Sequence, residues 1–378
     1  MPSPASPRVE LTSPTRLFTR DHCWAQPRAG TIPAGAPGNP GPHPIVVMTL
    51  QTVELEGSDR FSGLYQMRTD DLGETWEEPT PVPALARSDF GDGHSVTVCD
   101  FTPAWHAASR RLLGTGHTAV YQNNEIAMVR ERSTPYSFYD PLTREWTAWQ
   151  TLELPCEPHF ANAGAGSTQR YDLSNGDILL PIYFRVPTER QMSSTVVRCR
   201  VEGDRLRYVE HGSELTVPIK RGLYEPSVTA FGGRFYLTLR NDECGYVAVS
   251  DDGLHYGEPT PWRWDDGSEL GNYNTQQHWV TRPDALFLVY TRRGAGNDHV
   301  MRHRAPLFMA QVDPATLRVI RSTEQELMPN RGARLGNFAV TGVTPDETWV
   351  TDAEWMQPRG CEAYGSDGSV WVARLHFS

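Results

Sequence analysis

One segment of the chain occurs twice in nearly the same form: MRTDDLGETWEEPTP, beginning at Met67, returns as VAVSDDGLHYGEPTP, beginning at Val247. Both copies run strand, Ser/Thr, Asp-Asp, Gly, aromatic, Glu-Pro-Thr-Pro, with one residue deleted in the second turn. Self-similarity of this kind constrains a fold more than any local propensity does, because each copy must be one supersecondary unit. The chemistry is that of a hairpin turn. Asp71 and Asp252 can accept backbone N–H bonds, Gly73 and Gly253 can adopt positive φ, and Trp76 and Tyr256 can pack between sheets. Such a turn stabilises a sheet and does no chemistry.

A second repeat sets the period. Turn residues followed by an apolar strand with a polar end occur in SRRLLGTGHT, NGDILLPIYFR, GGRFYLTLR, PDALFLVYTRR and DETWVTDAEW. The polar ends are His117, Arg185, Arg240, Arg293 and Glu354, spaced by about 59 residues on average, and HPIVVMTLQT fits as a sixth unit. The two Asp-Asp turns begin 181 residues apart, at Thr69 and Ser250, or three such units. This period predicts an all-β six-bladed β-propeller of four-stranded antiparallel blades, since seven blades need shorter units. Residues 1–378 are read as a single propeller domain whose N-terminal segment closes the ring. The 32 Gly, 30 Pro and 11 Trp suit many short strands and turns.

Charge and punctuation exclude several functions. A net charge of −11 argues against nucleic acid as a general partner, because phosphate binding needs a basic face. The N-terminus lacks the apolar core of a signal peptide, and no run of about eighteen apolar residues occurs anywhere, so a soluble, cytoplasmic protein without membrane contact is expected. Cys23, Cys99, Cys156, Cys199, Cys244 and Cys361 form no CxxC pair, so buried free thiols are expected, with neither a metal site nor a cofactor. AGAGS, ending at Ser167, lacks the Lys-Ser/Thr that completes a phosphate loop and reads as a tight turn at a blade edge.

TDDLGETW matches the Asp-box, Ser/Thr-x-Asp-x-Gly-x-x-Trp, and SDDGLHY is a shortened copy. The chain therefore resembles the sialidase (neuraminidase) superfamily of Asp-box, or BNR-repeat, propellers. That resemblance implies three arginines on a substrate carboxylate. PRAGTIPAG places Arg28 in the first role, YEPSVTAFGGRFYLTLR supplies a glutamate, Glu225, fifteen residues before the second, Arg240, and HRAPLFMAQVDPATL offers Arg304 as the third, with Arg293 as its rival. Guanidinium is suited to the task because it can grip a carboxylate with two charge-assisted bonds. The family's acid/base aspartate falls in VELEGSDRFSG, at Asp59. Its tyrosine nucleophile falls near Phe338, which cannot attack anything.

Histidines add a second chemistry. Small residues surround His94 in SDFGDGHSVTV and His117 in LLGTGHTAVY, leaving room for a ligand. His278 stands among Tyr273, Gln277 and Trp279, a set suited to bonding and stacking a sugar. Arg185, at a strand end of the repeat, joins the substrate-binding candidates. These residues predict a sialidase-like exo-glycoside hydrolase acting on an acidic oligosaccharide. The alternatives are a β-eliminating lyase cleaving next to a glucuronate, with a histidine base, and a non-catalytic sugar-binding propeller.

Overall fold

The computed structural model describes residues 6–127 and 132–377, and it is built almost wholly of antiparallel strands. Each repeat unit identified in the sequence becomes a strand flanked on both sides by others of its sheet: Ile45–Glu54, Arg111–Gln122, Asp177–Phe184, Arg234–Arg240, Leu286–Tyr290 and Glu347–Ala353. In the first sheet the strand before this unit, His22–Ile32, lies on the axis. The clearest sign is Arg28 on His22–Ile32, whose side chain reaches Asp100, Ser167, Gln276 and the Phe338 carbonyl, groups drawn from widely separated segments of the chain.

The expectation of six like blades of four antiparallel strands is overturned. In chain order, starting from His22–Ile32, the sheets hold four, seven, five, four, six and four strands, so the propeller is made of mixed sheets. The excess is in two-residue strands such as Glu125–Ile126, Gln150–Thr151 and Tyr171–Asp172, too short to carry an alternating pattern. Arg263–Trp264 even pairs in parallel with Arg318–Val319. The sequence period registers only the long apolar strand of each sheet and is silent about these edges.

The ends of the chain meet in one sheet, where Arg8–Arg16 pairs antiparallel with Ser369–His376. Apolar side chains fill the seams between sheets instead of a single centre. Leu113 and Phe138 meet Ile178 and Val197 across one seam, and Met48 and Met67 meet Trp349 and Val372 across another. No helix among the described residues is long and apolar enough to cross a membrane.

Both Asp-box turns close as their residues require. Asp71 accepts the Thr75 backbone N–H (2.9 Å) and hydroxyl (2.6 Å), while Asp252 accepts the Leu254 and His255 N–H groups (2.8 and 2.7 Å). Gly73 and Gly253 sit at φ 85° and 79°, conformations that side chains resist. Tyr256 is buried between sheets, and Trp76 lies against Trp349. Asp252→Ala should therefore lower stability by about 1–2 kcal/mol, as the loss of a capping carboxylate does. Asp252→Asn, which keeps an acceptor, should lose less in denaturant unfolding, and equal losses would show that the turn does not depend on these bonds.

Candidate functional site

A cavity of ≈ 360 Å³ opens over the axis and takes lining residues from every sheet. Gln26 and Asp59 come from the region of the first sheet, Asp100 and His117 from the second, and Tyr183 and Arg185 from the third. Arg221, Tyr224, Glu225 and Arg240 belong to the fourth, Arg302 and Arg304 follow, and Arg334, Asn337 and Trp355 complete the ring. A chain that is acidic as a whole thus gathers several of its arginines at one spot.

The strand Tyr224–Phe231 positions the glutamate by a local distortion. A bulge separates Tyr224 from Ser227, and Glu225 within it adopts φ 48°. Left-handed backbone at a non-glycine residue costs energy and is characteristic of working sites. It brings both Glu225 oxygens to Nη1 of Arg240, at 2.7 and 2.6 Å. Arg240 Nη2 donates to Asn274 (2.6 Å), and the guanidinium lies 4.6 Å from the Tyr224 ring centre. Burial opposes the Arg240 charge, but Glu225 and Tyr224 together raise its pKa above the ordinary arginine value.

Arg304 is in the opposite situation. It is 4 % exposed, donates through Nε (3.1 Å) and Nη2 (2.5 Å) to the Asn274 carbonyl, and makes no ion pair among the described residues. Burial first, then the charges of Arg240, Arg334 and Arg302, push its pKa well below the usual arginine range. Arg334 lies over the Trp355 ring at 4.2 Å and donates to Gln357 (2.8 Å); burial and Arg302 lower it to about 10. Clustered, desolvated cations of this kind repel one another until an anion arrives.

Across the cavity, His117 Nε2 is 3.1 Å from Cys99 Sγ and its Nδ1 is 3.6 Å from Asp100. Gly166 passes so close that a Cβ there would meet His117 Nδ1 at 1.7 Å. The AGAGS segment begins as the edge strand Ala163–Gly164, paired with the Asp177–Phe184 strand, and turns at Gly166–Ser167 beside His117. Tyr183 stands between Arg132, at 4.6 Å from its ring, and Tyr224, and burial raises its hydroxyl pKa. Tyr224 is raised likewise by burial, and its hydroxyl bonds Asp242 at 2.5 Å.

Of the residues singled out in the sequence, Glu225, Asp59, His117, Arg240, Arg304 and Arg185 line this cavity. The others do not. Arg28 is fully buried on the axis. His278 is buried beside Ser227 (2.8 Å) and the Phe338 carbonyl (3.1 Å), and burial followed by the Arg28 charge lowers its pKa to about 3, which leaves it a poor base. Gln277 bonds Thr238 (2.9 Å) inside the protein. Tyr273 bonds His303 (2.6 Å) and carries Arg293 over its ring at 4.2 Å, while Arg293 donates to the Glu243 carbonyl. His94 packs near exposed Phe90, 5.5 Å away at a hairpin. Phe338 is wholly buried.

Arg334, Tyr183 and Tyr224 were not anticipated. Tyr183 was findable, because it lies two residues before Arg185 and strand alternation puts both on one face. Arg334 stands in RGARLGNF, just before the position where a tyrosine was sought.

Mixed sheets around an axis, two Asp-box turns and a cavity over the channel make this the propeller fold of sialidases. The solved structures it resembles include the phage phi92 endosialidase (TM-score 0.58, 11% identity over 98% of this chain and 69% of that one). They also include a Trypanosoma rangeli sialidase in complex with sialic acid (TM-score 0.61, 12% identity, 98% and 59%) and a Hadza microbial sialidase (TM-score 0.62, 12% identity, 94% and 66%). The chain thus spans roughly six- to seven-tenths of the length of these structures. No protein-family model matches the sequence, and no curated protein matches it. At such identities the likeness is one of fold, and chemistry must be argued from the cavity.

Proposed function

We propose that the chain is a carbohydrate-active enzyme that hydrolyses the terminal glycosidic bond of a carboxylate-bearing sugar. The observation that carries this reading is the convergence of Arg240, Arg304 and Arg334 on one cavity, where only Arg240 has a carboxylate partner among the described residues. A sugar carboxylate supplies the missing negative charge, and guanidinium geometry favours a planar anion. The sialic acid bound by the Trypanosoma rangeli enzyme is a sugar of this class.

Glu225, held next to Arg240, is the base in this proposal, and Asp59, which lines the same cavity, protonates the leaving oxygen. Phe338 offers no hydroxyl, and burial keeps Tyr183 and Tyr224 protonated, which leaves neither poised to attack. Water activated by Glu225 is then the nucleophile, the inverting route for paired carboxyl groups.

A second reading rests on His117 and Tyr183 sharing the cavity. In β-elimination, His117 takes the C5 proton of a glucuronate whose carboxylate the arginines neutralise, and Tyr183 protonates the departing oxygen. An assay on acidic oligosaccharides separates the two. Hydrolysis is expected to release reducing ends without new ultraviolet absorbance. A rising band of conjugated uronate would replace hydrolysis by elimination, and neither signal across the panel would leave a sugar-binding propeller.

A further inference from the structure

A second group of ligand-bearing side chains lies on the third sheet, apart from the residues lining the cavity. His159 is carried by the short 3-10 turn Pro158–Asn162, His211 ends the strand Arg205–His211, and Glu214 follows it. One ligand atom from each falls within 4.8 Å of the others. His159 Nε2 is 3.5 Å from Glu214 and 3.1 Å from Glu157, and His211 Nε2 is 3.9 Å from the same Glu214 oxygen. Ligand atoms around a tetrahedral zinc ion stand about 3.3 Å apart, given bonds of about 2.0–2.1 Å. The observed separations straddle that value.

Orientation strengthens the case. His159 Nε2 is buried and makes no hydrogen bond among the described residues, although the Glu157 and Glu214 carboxylates lie 3.1 and 3.5 Å away. His211 Nδ1 is 2.8 Å from the Tyr208 hydroxyl. A proton donated from Nδ1 to that oxygen leaves the Nε2 lone pair free, the outer-shell arrangement that fixes metal-binding histidines. Phe160 packs against both imidazoles, and Phe184 packs against His159.

We propose that His159, His211 and Glu214, with Glu157 as fourth ligand, bind a zinc ion that clamps the 158–162 turn to the outer strands of its sheet. The clamp bears on the cavity because Asn162, at the end of that turn, lines it and accepts the Arg185 backbone N–H at 3.3 Å. No spacing motif announces this site, since its histidines are 52 residues apart in the chain.

The test is direct metal binding by the full chain after chelator treatment. Titration with Co²⁺ alone, followed by its visible absorption, and competition with Zn²⁺ are expected to show one equivalent bound at a tetrahedral site. His159→Ala and His211→Ala should each weaken binding by about a hundredfold or more, and Tyr208→Phe by about tenfold. Zn²⁺ should raise the unfolding temperature of the unmodified protein and leave that of the His159→Ala/His211→Ala double variant unchanged. His117→Ala is the control for the Cys99–Asp100–His117 group in the cavity, the other set of close ligand atoms. Absence of stoichiometric binding would overturn the proposal, and so would binding that survives both histidine substitutions or disappears only in His117→Ala.

Discussion

Replacing Arg304 with methionine is expected to lower kcat/KM on an acidic oligosaccharide by about a hundred- to a thousandfold without lowering the unfolding temperature. The two halves have one cause. A charge-assisted hydrogen bond contributes about 1.5–3 kcal/mol, and a two-pronged grip on a carboxylate commonly twice that, against about 1.4 kcal/mol per tenfold in rate. In the free protein the same guanidinium is a burden. Its pKa is depressed by burial and by Arg240, Arg334 and Arg302, so the folded state disfavours its charged form, and the neutral methionine removes that penalty. Loss of activity with equal or higher stability marks a side chain kept for its ligand. A variant that unfolds earlier while retaining turnover would make Arg304 structural and remove the carboxylate clamp from the proposal.

The paired Glu225 and Arg240 present a different balance. Their ion pair is satisfied without substrate, so Arg240→Met strands a buried carboxylate and should cost both stability and activity. Arg304 is the cleaner probe, because its missing partner is the ligand itself.

How much of this could be read from the chain depends on the length scale of each signal. The Asp-box turns are local: the Asp71 carboxylate and Thr69 hydroxyl bond within Thr69–Thr75, and the Asp252 carboxylate and Ser250 hydroxyl within Ser250–His255, so sequence sufficed. One long strand of each sheet was legible because an apolar run bounded by turn residues recurs at one period. The two-residue edge strands were not, since pairs such as Gln150–Thr151 form only where a neighbouring edge offers free backbone groups. The site behaved in the same way. Glu225 and Arg240 were found because one hairpin joins them, whereas Arg334 reaches the cavity through the closing of the ring. Arg28 shows the limit from the other side: residue type and position in a strand suggested a ligand-binding arginine, but a bulge between Ala25 and Arg28 turns Gln26 to the cavity and Arg28 into the axis.

Arg28→Met should therefore act on the fold before it acts on any ligand. Nη2 of Arg28 donates to Asp100 (2.8 Å), Ser167 (3.1 Å) and Gln276 (3.3 Å), and Nη1 to the Phe338 carbonyl (3.4 Å), so one cation ties together segments that are neighbours only around the axis. Methionine fills much of the volume and satisfies none of these acceptors. Breaking a buried ion pair from one side costs about 3–5 kcal/mol. Asp100 still has the Ser167 hydroxyl (2.7 Å) and touches the cavity, which favours the lower end. At about 2.1 cal/mol/K per residue, a chain of 378 residues should then unfold roughly 4 °C lower. Lysine should not rescue it, because a single ammonium cannot reach acceptors fanned around the edge of the planar guanidinium. If Arg28→Met instead unfolded at the original temperature and lost only its affinity for acidic sugar, Arg28 would be a carboxylate ligand after all, and the axial tie would have to be sought among Gln276, His278 and the Phe338 carbonyl.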